Sequence, residues 1–213
     1  MSDALPKYSS IEEWANSLTH GIGAVLAVAG LVVMLAVTIG QGDAWQIVSA
    51  SIYGTTLIFM FLASTLYHAI QHPNIRKILR QIDHLAILYL IAGSYTPFTL
   101  VTLNGAWGWT IFGIVWGLTL VGTVLQLSPA RHIKALMVTL YLLMGWVVII
   151  AIKPLVANLS ANGLGLLVAG GLAYTGGVVF YVNKRIPFNH AIWHMFVLAG
   201  AMLHFFAILL YVF

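Results

Sequence analysis

Seven apolar stretches follow one another along the chain, at 20–39, 46–70, 83–103, 107–127, 133–157, 163–182 and 189–212. Each is long enough to cross the hydrocarbon of a bilayer as a helix, which takes about 20 apolar residues. Polar residues collect in the gaps, such as "GQGDA", "HPNIRKILRQ", "NGA", "SPARH" and "NKRIPF". The alternation of a membrane β-barrel strand is absent, and a span in lipid has to satisfy its backbone internally. The pattern predicts an all-α membrane protein, a seven-transmembrane-helix bundle. Residues 1–19 form a short N-terminal segment and 20–213 a single transmembrane domain, with no internal repeat or linker to divide it. Trp45, Trp107 and Trp109 fall near run ends, where interfacial aromatics are expected.

Composition removes the soluble alternatives. The 213 residues are 61% hydrophobic and 7% charged, whereas about a quarter of a soluble domain is charged. With no cysteine, neither a disulfide nor a thiolate metal site is available. The opening "MSDALPKYSSIEEW" lacks a basic stretch followed by a short apolar core, so no cleavable signal peptide is expected.

Charge then fixes the expected orientation. An inward N-terminus puts Lys7, Arg76, Lys77, Arg80, Arg131, Lys134, Lys184 and Arg185 on the cytoplasmic side and leaves only Lys153 outside. That asymmetry is the positive-inside signal. It predicts a cytoplasmic N-terminus and an external C-terminus, and it accounts for the basic excess without nucleic acid as a partner.

This topology gathers the polar residues in one layer. The seventh helix starts inside with "NHAIWH", and His190 and His194 share one face a turn apart. The second ends inside with "STLYHAIQHP", where Ser64, His68 and His72 form an i, i+4, i+8 stripe. The third begins with Asp83 and His84, and the first brings Asn16 and His20 to the same depth. A histidine at a helix end is commonly just an amphipathic residue reaching water, the reading preferred for His72 and His132 and open for His84. Asp83 alone would be explained by Arg80 three residues earlier. Convergence of four helices argues for more, because intramembrane ionisable groups default to function.

Three imidazoles with one open position are the pattern of a catalytic zinc site. His68, His190 and His194 supply them, and ligand type leaves another divalent transition metal open. Asp83 and Ser64 are the candidate catalytic residues. Asp83 would orient water or a ligand, and Ser64, a turn deeper than His68, would hydrogen-bond water or a substrate oxygen. Asn16 and His20 support the site. His204, about 15 Å deeper than His194 along the helix, is expected to line a cavity rather than complete the metal site.

The ordered motifs "EWANSLTHGIG" (Glu13, Asn16, Thr19, His20, Gly23), "STLYH" with "QIDH" (Ser64, His68, Asp83) and "HAIWH" (His190, His194) carry a resemblance. The whole chain resembles the bacterial hemolysin III branch of the progestin and adipoQ receptor (PAQR) family, which includes the adiponectin receptors. That resemblance implies zinc on His68, His190 and His194 near the cytoplasmic face, with Asp83 close to the metal. The wider superfamily includes alkaline ceramidases, so it implies metal-dependent hydrolysis of lipid amides or esters, membrane-lipid homeostasis, and residence in a bacterial inner membrane with a membrane lipid as substrate or ligand. Cytolysis has been attributed to some members. The N-terminal stretch lacks the long domain of the adiponectin receptors, which argues against a comparable receptor role. Two other classes fit less of the sequence. A non-catalytic regulator or sensor would use zinc as a structural clamp between the second and seventh helices. A pore or transporter would be expected to show a two-half repeat or interrupted spans at mid-membrane, and neither is visible.

Overall fold

In the computed structural model, which describes residues 5, 6 and 8–213, the chain is 88% helical. Among the described residues there is no strand, and seven helical segments are long and apolar enough to span a membrane. They are Ser10–Gln41, Ala44–Ala69, Pro73–Thr102, Ala106–Leu127, Lys134–Asn158, Ala161–Val182 and Asn189–Tyr211. Lys7, one of the cations counted above, lies outside the described residues.

Two helices begin ten residues before their apolar runs. The first starts at Ser10 rather than 20, because Ser9 and Glu12 form a capping box that satisfies the orphan N–H groups of the first turn. Its 32 residues are about 48 Å long at 1.5 Å per residue, well beyond a hydrocarbon core of about 30 Å. The third starts at Pro73, whose fixed φ and missing N–H suit the first helical position. Both extensions project from the same, basic end of the bundle.

Two helices are also irregular. After Pro97 the third loosens into a π-helical turn over Phe98–Thr102. The fifth breaks at Gly145, continues as a 3₁₀ turn over Val147–Ala151 and resumes at Ile152. Tyr95 of the third helix bridges that break. Its hydroxyl donates to the Gly145 carbonyl at 2.8 Å and accepts from Val148 N–H at 3.0 Å. The interrupted backbone is thus satisfied by a side chain, as membrane burial demands.

The helices pack in the order sixth, seventh, first, second, third, fourth, and the fifth rests lightly against the third and fourth. The sixth and seventh lie especially close. The only fully buried residues of the sixth are Gly163, Gly170 and Gly177, spaced two turns apart along one face. A Cβ on Gly170 would run into the His204 ring, and one on Gly177 into Trp193 and Phe196. Small residues let membrane helices approach in this way. The backbones of the fifth and sixth stay apart, bridged by Trp146 Nε1, which donates to Thr175 Oγ1 at 3.1 Å, so the ring is most open there.

Candidate metal centre

At the basic end, the second helix delivers His68 and the seventh delivers His190 and His194, all three buried. Their donor nitrogens all lie within 4.8 Å of one another. His190 Nε2 stands 3.2 Å from His68 Nε2. Two nitrogens at about 2.05 Å from one tetrahedral ion would be about 3.3 Å apart.

Neighbouring groups select the tautomers that a metal requires. His68 Nδ1 lies 2.7 Å from Glu13 Oε2, so it donates there and leaves Nε2 as a lone pair. His194 Nδ1 lies 3.1 Å from the Asn16 carbonyl, which fixes the same tautomer. Two imidazole nitrogens facing each other at 3.2 Å need a shared proton or a shared cation. A proton joins only two nitrogens, whereas a cation satisfies all three. The donor set therefore fits a divalent metal ion, and its all-nitrogen chemistry does not name which one.

Glu13 is the residue whose role the sequence did not disclose. Its second oxygen pairs with Arg76, which also donates to Gln71 Oε1 at 2.8 Å, and Gln71 donates to the His68 carbonyl at 2.6 Å. Glu13 and Arg76 both sit on the unexpected helical extensions. Glu13 was visible as a motif position, but nothing in spacing tied it to a histidine 55 residues away.

The remaining predicted residues divide. His20 lies flat on the His194 ring, centroids 3.5 Å apart and planes 13° apart. His20, Ser64 and Asp83 line the same cavity as His190 and His194, about 270 Å³ in volume. Asp83 stands on that wall and is not part of the mutually close three-nitrogen group. Asn16 is fully buried, and its side-chain oxygen and nitrogen have no protein partner. Neither have both His20 nitrogens and His190 Nδ1. Buried polar atoms are rarely left this way, and five around one centre mark a place built for a polar ligand. His204 is elsewhere. Its Nε2 lies 3.0 Å from the Leu167 carbonyl, and its ring lines an apolar cavity of about 120 Å³. Met60, Ile87, Tyr141, Tyr181 and Trp193 line both cavities, so the polar one adjoins the apolar one.

Seven apolar helices enclosing a three-histidine cluster define a multi-pass membrane protein with a candidate metal centre. Residues 8–205 match the Haemolysin-III related family, and the chain belongs to that family. It is 44% identical to "Hemolysin-3" of Bacillus cereus over 201 residues, which is 94% of this chain and 92% of that protein. Identity to the "Hemolysin-3 homolog" of Bacillus subtilis (strain 168) is 48% over 200 residues, 94% of each chain. The human "Monocyte to macrophage differentiation factor" is 31% identical over 216 aligned residues, covering 97% of this chain and 87% of that protein. The resemblance read from the ordered motifs is thereby confirmed.

Proposed function

We propose that this protein is a membrane-embedded, zinc-dependent hydrolase that cleaves the acyl amide or ester bond of a membrane lipid and so contributes to membrane-lipid homeostasis. One observation carries the reading. Three imidazoles come together, two of them on the wall of a cavity that Ser64, Asp83 and His20 also line, all of them buried. Three protein donors with room for a further ligand suit a catalytic rather than a structural zinc site.

A bound ion would supply a Lewis acid and acidify water. The chain's own groups would do the rest. Asp83 Oδ1 takes the proton from water as its oxygen adds to the acyl carbon, and returns it to the leaving nitrogen or oxygen. Ser64 Oγ–H donates to the acyl oxygen as negative charge develops there. The open seam between the fifth and sixth helices gives an acyl chain a way from the bilayer into the apolar cavity. With the basic end cytoplasmic, the reaction takes place at the inner face of a bacterial inner membrane.

Asp83→Asn is the direct test. It keeps the shape and loses the base, so turnover of lipid amides or esters should fall by about 10²- to 10⁴-fold while bound metal stays at the wild-type level. Undiminished turnover removes the mechanism. A second reading, a non-catalytic regulator or sensor, is favoured by the fact that His68 and the His190–His194 pair sit on different helices, which a metal would clip together. In that case metal removal lowers the melting temperature and no lipid bond is cleaved.

A further inference from the structure

A metal-binding imidazole is normally held in its orientation by a hydrogen bond from its other ring nitrogen. His68 Nδ1 has the Glu13 carboxylate for this, and His194 Nδ1 has the Asn16 carbonyl. His190 differs. Its Nδ1 is buried and has no hydrogen-bond partner. Its backbone position gives little help, because His190 is the second residue of the seventh helix, just after Phe188 in the left-handed region at φ 55°. Helix ends are where fraying starts. Something else has to turn this ring toward the other two.

An aromatic face from outside the seven spans does so. Tyr8 lies stacked on His190, with ring centroids 5.2 Å apart and planes 24° apart. Among the described residues the other rings near His190 are tilted, Tyr181 by 42°, His68 by 52° and His194 by 58°. Offset stacking at this separation is a favoured aromatic geometry. Tyr8 is itself fixed in two ways. The adjacent Ser9 caps the first helix, and Lys184 Nζ lies 6.0 Å from the Tyr8 ring centroid, at the edge of cation–π range. Tyr8 also lines the polar cavity with Ser64, Asp83 and His194. Residues 8–20 therefore touch every imidazole of the centre: Tyr8 meets His190, Glu13 meets His68, and Asn16 and His20 meet His194.

We propose that Tyr8 is the positioning residue of His190: its ring, stacked on the imidazole, holds Nε2 toward the ion in place of the hydrogen bond that the other two histidines have. The proposal rests on the metal centre of the reading above and is independent of whether a lipid bond is cleaved. Because the contact is made by a ring face, the hydroxyl is dispensable. A second flat ring serves equally, whereas an aliphatic side chain fills the space and leaves the plane of the imidazole free. The N-terminal segment thereby contributes to metal affinity although none of its side chains is a ligand.

Metal affinity of the full chain in detergent, measured with zinc against a competing chelator, tests the assignment without turnover. Tyr8→Leu should weaken binding by roughly three- to tenfold, the worth of one aromatic stack, and Tyr8→Phe should bind as wild type does. Cobalt in place of zinc supplies a readout of ligand geometry: its visible bands should shift in Tyr8→Leu and stay in place in Tyr8→Phe. The metal-free proteins are melted as well, and all three should unfold at the same temperature. Wild-type affinity and unshifted cobalt bands in Tyr8→Leu overturn the proposal. Equal losses in Tyr8→Phe and Tyr8→Leu also overturn it, because the hydroxyl would then carry the effect. Weakened binding with unshifted bands and a lower metal-free melting temperature would make Tyr8 a support of the fold alone, and that too overturns it. A wild-type chain that binds no metal removes the centre itself, a failure distinct from a wild type that binds and a Tyr8→Leu that binds equally well.

Discussion

Glu13 decides how well the centre can hold a metal. Its carboxylate accepts from His68 Nδ1 and pairs with Arg76, so one acid both orients an imidazole and neutralises a buried guanidinium. Replacing the partner of a metal-binding histidine typically weakens binding by roughly 10- to 100-fold. Glu13→Gln should therefore lower metal affinity by that factor, measured by competition with a chelator, with His190 and His194 still in place. An affinity equal to wild type would mean that His68 is oriented by something else. The histidines and Asp83 were legible because ionisable residues stand out in an apolar chain and helix spacing puts them on faces. Glu13 and Arg76 were not, because each sits in a polar stretch that hydropathy reads as outside the membrane.

Helix ends and breaks follow the same division. Seven crossings could be read from the apolar runs, since lipid exposure is what hydropathy reports. It does not report that the first and third helices begin ten residues before their apolar runs, where capping and Pro73 govern. Nor does it reveal the break in the fifth, which depends on a hydroxyl from another helix. Tyr95→Phe removes the bridge to Gly145 O and Val148 N and strands two backbone groups. Polar groups left unpaired in apolar surroundings, protein or lipid, cost about 1–3 kcal/mol each. The variant should unfold at a lower temperature in detergent with its metal content unchanged, because the break lies away from His68, His190 and His194. An unaltered melting temperature would show that the irregular fifth helix needs no such support.

Across the whole bundle, one end is basic and polar and carries the histidine cavity, while the outer surface is apolar. The charge asymmetry between Lys153 and the other cations predicts which end faces the cytoplasm. A periplasmic-active reporter such as alkaline phosphatase should be active when fused after Phe213, and a cytoplasm-active one inactive there. The reverse pattern would turn the centre to the opposite face and deny it a cytoplasmic route. The ring order and its open seam between the fifth and sixth helices could not be read from the sequence, because apolar runs of similar composition do not say which neighbours they choose.

The claim under all of this is that His68, His190 and His194 share one ion. Elemental analysis of the purified chain beside His194→Ala tests it most directly, with His204→Ala, outside the three-histidine cluster, as the control. The account predicts about one equivalent of a divalent transition metal, zinc foremost, in wild type and in His204→Ala, and its loss in His194→Ala. A folded wild-type protein without metal, or a His194→Ala variant that retains the full equivalent, would contradict it.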